Sequence, residues 1–471
     1  MIGILDNSVS FILNGLNIWK KNAKKTYIYA ALSVAMCPTF AIGAALDRSG
    51  QSISTFLQDA NYAEIGVSSL HPKVKGKDNN QNNISDIGDS YTFGTFGIKL
   101  QPTEKISLGV LFDEPFGAKA SYHGNNNFTN AETSENTGAE VHSQNITGLM
   151  GYNLNDNLKF YTGLVYQEVK GSAQLRGDAY SIFNGYDIKI EKNDALGWIS
   201  GISYEIPELA LKTSITYRSK INHKLTSHET IGIDKILQKV SSGLNQVDAG
   251  IAEVNKGLAQ LTSIPSTDPQ KQYLLAQYDS LMKMRYGLAG QQAQLNGLNS
   301  LVPNKLTSST ELTTPQSVNF DFQTGLNPKT VLFGNIRWVD WSSLKLGPTM
   351  FTTLSKAVYP DEGFDLLYYT KDQWSASLGL GRQFSNKLSG SIAFGWDGGA
   401  GKPISSLGPT NGYKNIAVGV RYKARKNIEL SGGVKYFKLG DATSTVGPGT
   451  PAGEFNGNSA LVYGMKIGYR F

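Results

Sequence analysis

From Asn61 to the C-terminus, segments of about ten residues alternate large apolar side chains with small or polar ones, and turn-forming residues separate them. A period of two is the signature of strands. The clearest runs are Leu158-Phe160-Thr162-Leu164-Tyr166, Leu211-Thr213-Ile215-Tyr217, Ile416-Val418-Val420-Tyr422 and Ile428-Leu430-Gly432-Val434-Tyr436. Between them fall Lys212, Ser214, Thr216 and Arg218 on one strand, and Asn415, Ala417, Gly419 and Arg421 on another, so one face is greasy and the other small, polar or basic. Fourteen strands are expected, near 61–73, 91–101, 106–122, 140–153, 158–175, 193–206, 209–225, 316–326, 330–345, 371–384, 387–397, 413–424, 427–438 and 459–471.

Alternation alone fits either a soluble sandwich or a barrel with lipid outside. Loop lengths separate the two. Short turns (Pro102-Thr103-Glu104-Lys105, 153–157, 207–208, Asn327-Pro328-Lys329, Ser385-Asn386-Lys387, Arg425-Lys426-Asn427) alternate with long Gly/Asn/Ser-rich loops (124–138, 398–412, 440–457), the habit of outer-membrane barrels. The last strand sets Tyr463, Met465, Ile467, Tyr469 and the final Phe471 against Gly464, Lys466, Gly468 and Arg470, the form of a barrel-assembly signal. The expected fold is all-β: a 14-stranded antiparallel transmembrane β-barrel over residues 61–471. A lumen of that width cannot be filled by wall side chains alone, so a plug or water must occupy it.

Between the seventh and eighth strands the period changes. Ile233, Leu237, Val240, Leu244, Val247, Ile251, Val254, Leu258 and Leu261 follow a 4-3 spacing, a coiled-coil seam. Prolines 265 and 269 break it, and Leu274, Tyr278, Leu281, Met284, Leu288, Leu295, Leu298 and Val302 resume a similar register. Residues 232–303 are therefore expected to form an antiparallel helical hairpin on the extracellular side, on the order of 45 Å long at ~1.5 Å per residue. Gly243, Gly250 and Gly257 recur every seventh residue, each costing about 1 kcal/mol relative to alanine. Close approach of the two helices is the expected compensation.

The N-terminus reads as an export signal at 1–43: basic Lys20, Lys21, Lys24 and Lys25, an apolar stretch over 27–42, and small Ala41 and Gly43. Residues 44–60 remain as a short N-terminal hatch or plug. Past the first fifty residues no apolar run approaches the ~20 residues of a transmembrane helix. The 51 glycines and 17% charged residues suit strands with one face out of water. Net charge is +6, and removing the four lysines and Asp6 of the export segment leaves +3, too diffuse to favour nucleic acid. The single cysteine, Cys37, also precedes the cleavage point. His71, His123, His142, His223 and His228 lie in no catalytic or metal-ligand spacing, so neither enzyme, metal nor cofactor is expected.

At the residue level the chain resembles the FadL/TodX family of outer-membrane transporters for long-chain fatty acids and other hydrophobic compounds. The resemblance is carried by 196–206 (Leu-Gly-Trp-Ile-Ser-Gly-Ile-Ser-Tyr-Glu-Ile) and Thr216-Tyr217-Arg218-Ser219, with 112–122, Val339-Asp340-Trp341-Ser342 and Glu362-Gly363-Phe364 in order. It implies a hatch, a greasy groove built by the third and fourth outer loops, an inner pocket, and sideways exit at a kink in the third strand. Pro115, Phe116 and Gly117 occupy that kink, where proline removes a ladder donor and glycine permits a bulge. Arg176 matches a basic ligand contact of the family, able to hold a carboxylate bidentately, or else is a rim arginine paired with Asp178 or lipopolysaccharide. The family's second cation is replaced by Tyr359-Pro360-Asp361, with Lys356 a loose substitute.

Alternation turns Lys212, Arg218, Arg337, Arg421, Lys466 and Arg470 inward, where they either guide an anion, Arg218 foremost, or brace the wall with carboxylates. The family's longer hatch and its Asn-Pro-Ala motif are missing. Ile53, Phe56 and Leu57 are the residues of the reduced plug expected to enter the pocket. The implied partners are a hydrophobic ligand, lipopolysaccharide and outer-membrane lipid, and the barrel-assembly machinery. A general diffusion porin, or a surface adhesin or receptor acting through the hairpin, are the competing readings.

Overall fold

The computed structural model describes residues 46–130, 134–360 and 363–471. The export segment expected at 1–43, and Asp361 and Glu362 of the quoted motifs, lie outside the described residues. Seventeen strand segments join into one closed sheet, and six of them are halves of three interrupted strands, leaving a wall of fourteen. They are β1 (Tyr62–Lys73), β2 (Tyr91–Leu100), β3 (Ile106–Asp113 and Gly117–Ser121), β4 (Gly138–Asn153), β5 (Leu158–Leu175), β6 (Tyr186–Ile206) and β7 (Leu211–Arg218 and Ile221–Thr230). The remainder are β8 (Lys305–Thr314 and Ser317–Asn327), β9 (Thr330–Val339), β10 (Gln373–Gln383), β11 (Leu388–Asp397), β12 (Tyr413–Lys423), β13 (Ile428–Leu439) and β14 (Ser459–Arg470). Neighbours are antiparallel, and β1 closes the barrel on β14 from Tyr62↔Arg470 to Lys73↔Ser459.

Side-chain exposure shows which way the wall faces. On β5, Leu164 is 64% exposed while its neighbour Val165 is 3% exposed. Ile416, Val418, Val420 and Tyr422 on β12 are likewise outward and large, whereas Ala417 and Arg421 are buried. So much exposed apolar surface is stable only where lipid is the solvent. Inside, cations meet carboxylates across neighbouring strands: Arg421 with Glu429 at 3.3 Å, Lys466 with Glu64 at 3.1 Å and Lys212 with Glu205 at 3.0 Å.

Four strand ends differ from the alternation. β6 begins at Tyr186, β7 runs to Thr230 and β8 begins at Lys305, all longer than expected, while β9 ends early at Val339. The added stretches of β7 and β8 are polar on both faces, as in Ser227-His228-Glu229-Thr230, and carry no apolar period. That of β6 does alternate, but its apolar residues Tyr186 and Ile188 face inward, opposite in phase to the outward Leu196 and Trp198, across a register shift between Val169 and Gly171 of β5. β9 stops because Trp341–Ser343 turns into a short 3-10 helix.

The insert is the expected hairpin, α1 (Ile233–Gln260) and α2 (Pro269–Leu301). Asp268 caps α2 by accepting from the backbone N–H groups of Gln270 and Lys271, ahead of Pro269 at the first helical position. Each α1 glycine faces a leucine one heptad on: Gly243 faces Leu288, Gly250 faces Leu281 and Gly257 faces Leu274. A Cβ would sit 3.6, 3.4 and 3.1 Å from the leucine methyls in that order, so only Gly257 is tightly required. Gly250→Ala is therefore expected to stabilise α1 by up to about 1 kcal/mol, seen as slower protease cleavage of the hairpin on the intact barrel. A third helix, α3 (Thr349–Val358), is too short to show a sequence period; it buries Met350, Phe351 and Leu354 in the loop core. The buried Glu229 carboxylate accepts from the N–H groups of Met350 and Phe351 at 3.1 and 3.0 Å, at the positive end of α3.

The wall is not paired throughout. β2 and β3 are in register from Phe96↔Phe112 to Leu100↔Leu108, lose contact, and rejoin at a Gly88↔Ala120 bridge. β6 and β7 separate in the same manner between Ile199↔Arg218 and Ile190↔Ser227. That second interval is laced by side chains: Asn193 donates to the Lys224 carbonyl at 2.9 Å, and the His223 ring meets Asn193 at 3.0 Å and Gln167 at 3.1 Å.

Candidate functional site

The hatch crosses the lumen at the height of the β3 break. Asp47 forms an isolated bridge with Phe116; the Arg48 N–H donates to the Pro115 carbonyl at 2.7 Å, and the Gly117 N–H to Leu46 at 2.8 Å. Peptide groups that the kink turns away from β2 are thus taken up by the hatch, acting as a substitute strand from inside. On the other side Phe116 stays tied to β4, its N–H donating to Ser143 Oγ at 2.8 Å. A missing proline N–H costs nothing at this point, because no ladder partner faces it.

Two sets of contacts seat the hatch. The apolar one gathers Ile53, Phe56 and Leu57 with Leu111, Leu149, Tyr161, Val165, Ile199 and Ile221. Glycines on the inner face make the socket: a Cβ at Gly109 would lie 2.5 Å from the Phe56 ring. The polar set centres on Arg337, 1% exposed by side chain, which reaches Asp47 at 2.7 Å, Gln51 at 3.0 Å and Asn319 at 2.5 Å. Lys212 and Lys99 donate to the carbonyls of Leu57 and Gln58, each at 2.5 Å, and Arg470 to Gln58 Oε1 at 2.8 Å. The inward cations brace the hatch and the wall.

The hatch separates two unlike spaces. Above it lies a mainly apolar cavity of about 1490 Å³ including its open mouth. Leu70, Val74, Ile87, Val141, Ile188 and Leu439 line its sides, and its floor and flank include Leu46, Tyr91, Gly117 and Ala118, residues of the hatch and of both edges of the β2–β3 gap. Beside the hatch, against Gly50 and Ser52, lies a polar chamber of about 480 Å³ including its open mouth, walled by Asn319, Asp321, Asn335, Arg337, Ser375 and Ser377.

Farther out, a groove of about 500 Å³ shares Leu366, Pro403, Ser405 and Leu407 with the cavity and is faced by Tyr180, Phe183, Phe351 and Phe364. The third, fifth, sixth and seventh outer loops build it. The implied pairing of the third and fourth loops is not what is found, because the fourth loop is the hairpin, whose base (Ile233, Leu295, Leu298) packs under the groove's loop core instead. The Tyr180 hydroxyl meets Ser406 Oγ at 2.8 Å, and burial pushes its phenol well above the ordinary range, so it stays neutral.

The candidate residues fall in three places. Pro115, Phe116 and Gly117 form the gap edge, and Ile53, Phe56 and Leu57 the plug. Arg218 is buried in the lumen at the break in β7, with one terminal nitrogen lacking a hydrogen-bond partner among the described residues. Arg176 is neither beside these nor paired with Asp178. It is held by Glu135 and Asp187, each at 2.7 Å, and by the carbonyls of Leu175 and Tyr186 at 3.0 and 3.1 Å. Its donors are used in tying the second and third outer loops to β6. Arg48, absent from the sequence candidates, is the cation at the gap; only its position in a short polar stretch after the export segment marked it.

The chain matches the outer membrane protein transport protein family (OMPP1/FadL/TodX) over residues 41–471. No curated protein matches it in sequence. Among solved structures, a Pseudomonas aeruginosa FadL homologue is similar over 94% of this chain and 98% of its own, with a TM-score of 0.61 at 14% identity. The Pseudomonas putida toluene transporter TodX is similar over 88% and 91%, with a TM-score of 0.54 at 10% identity. The Ralstonia pickettii toluene transporter TbuX is similar over 88% and 90%, with a TM-score of 0.53 at 9% identity. At such identities these likenesses speak to fold, and the match along the whole barrel speaks to family: this chain belongs to the OMPP1/FadL/TodX family of outer-membrane transport proteins for hydrophobic compounds.

Proposed function

We propose that the barrel takes up long-chain fatty acids or similarly hydrophobic compounds passively, capturing them in the aromatic outer groove, holding them in the apolar cavity and releasing them sideways between β2 and β3. One observation carries the reading: the apolar cavity has both edges of the wall gap among its lining, whereas the space beside the hatch is polar. Each methylene moved from apolar surroundings into water costs about 0.8 kcal/mol, so a chain of about fifteen forfeits on the order of 12 kcal/mol on a downward route. Sideways release keeps the tail in apolar surroundings. The similar toluene transporters and FadL homologue agree with the class of cargo.

Proteoliposomes test this. The expected result is uptake of a labelled long-chain fatty acid without swelling in small sugars; swelling without fatty-acid uptake supports a diffusion porin instead. The hairpin tip lies outside the groove, so deleting residues 244–288 while sparing the base is expected to leave uptake unchanged. Lost uptake in that variant makes the hairpin part of the capture surface.

A further inference from the structure

Arg48 is 2% exposed, and its Nε and one terminal nitrogen, Nη2, have no hydrogen-bond partner among the described residues. Its guanidinium carbon lies 3.7 Å from the centroid of the Tyr91 ring, a cation–π contact. A Cβ at residue 117 would fall 2.1 Å from that same carbon, so glycine there provides the seat for the guanidinium. Tyr91 and Gly117 both line the apolar cavity and both border the gap between β2 and β3.

The neighbouring carboxylates are engaged elsewhere. Asp47 is held by Arg337, Asp113 accepts from Ser49 Oγ at 2.5 Å, and Glu114 accepts from the Gly94 N–H at 3.2 Å. The unpartnered atoms, Nε and Nη2, form the edge of a guanidinium that offers two parallel N–H donors, the geometry that suits a carboxylate. Both atoms are enclosed behind Tyr91 and Gly117, so a ligand reaches that edge only as the guanidinium moves; left unpaired there, a buried cation is poorly satisfied on its own, since burial removes the water that would otherwise bind it.

We propose that Arg48 is a head-group subsite: it binds the carboxylate of an amphiphilic ligand whose tail lies in the apolar cavity, and thereby sets a preference for long-chain carboxylates over uncharged compounds of the same length. The inference rests on the reading of that cavity as the ligand chamber. Binding there draws the guanidinium from its seat on Gly117 toward the ligand, so the cover on the inner mouth of the gap shifts when a head group arrives. Arg176, with its donors already taken by the protein, does not compete for this role.

The test compares hexadecanoate with hexadecan-1-ol, by binding in detergent and by uptake in proteoliposomes, for the full chain and for Arg48→Gln and Arg48→Lys. Two charge-assisted hydrogen bonds predict that Arg48→Gln weakens hexadecanoate binding at least ~10-fold and leaves hexadecan-1-ol unchanged, with Arg48→Lys intermediate. Heat-modifiable migration on gels confirms that each barrel is folded. Equal loss for both ligands, or no loss for either, in a folded barrel overturns the head-group subsite while leaving the transport reading intact. Failure of the unaltered chain to bind either compound overturns the transport reading and the subsite with it.

Discussion

Replacing Pro115 and Gly117 together by valine is expected to slow fatty-acid uptake at least ~10-fold while the barrel assembles at its normal level, because the wall gap closes. The register supports closure without rearrangement. Phe96↔Phe112 below the gap and Gly88↔Ala120 above it belong to one continuous antiparallel register, so no residue needs to be inserted or removed for residues 113–119 to pair with 89–95. Proline withholds a ladder donor, and valine restores it with a strand-forming side chain. At residue 117 the new side chain occupies the seat of the Arg48 guanidinium, 2.1 Å from where Cβ must go, and the inner cover is displaced. The remaining downward route passes the polar chamber, at a cost of about 0.8 kcal/mol for every methylene wetted. Initial uptake rates normalised to folded barrel on gels check this; an unaltered rate contradicts it.

Arg337→Ala is expected to convert a closed barrel into a conducting one. The pair of Arg337 with Asp47 is buried on both sides, and the same guanidinium also holds Gln51 and Asn319. Removing it strands a buried carboxylate, a defect of about 3–5 kcal/mol. The strand carrying it keeps its ladder, from Ser317↔Val339 to Gly325↔Val331 on the β8 side, so the loss falls on the hatch rather than on the wall. Residues 46–52 then leave their seat, and the polar chamber opens to the space above. Single-channel conductance and swelling in small sugars are the readouts, with partial recovery in Arg337→Lys. A variant that stays electrically silent argues that the apolar anchor, Phe56 in its glycine socket, holds the hatch unaided.

The barrel was legible because its wall obeys one repeated rule. Leu164 and Val418 face lipid while Val165 and Arg421 face inward, and a period of two records that without reference to any other part of the chain. The hairpin was legible for the same reason: its seam is local, and Gly243, Gly250 and Gly257 each find a leucine at constant register. The upper ends of β7 and β8 were hidden because above the membrane neither face must be apolar, and that of β6 because its apolar residues Tyr186 and Ile188 face inward, opposite in phase to Leu196 and Trp198. The candidate site divides along the same line. Pro115 and Gly117 announce a broken strand by their own backbone chemistry, and Ile53, Phe56 and Leu57 announce a plug by being apolar in a polar stretch. Arg176 shows only a charge at a rim; that Glu135 and Asp187 consume it depends on loops far apart in sequence. Arg48 sits in a segment with no period, and its place at the gap comes from Tyr91, Pro115 and Gly117, partners that no spacing rule links to it.

The central claim is that the ligand leaves through the wall. A long-chain fatty acid bearing a photoreactive diazirine at its tail, cross-linked during uptake and mapped by mass spectrometry, tests it most directly. The expected labels lie on the two edges of the gap, residues 91–95 and 113–118. Labels on Asp321, Asn335 and Ser377 in the polar chamber, with the edges unmarked, would contradict it.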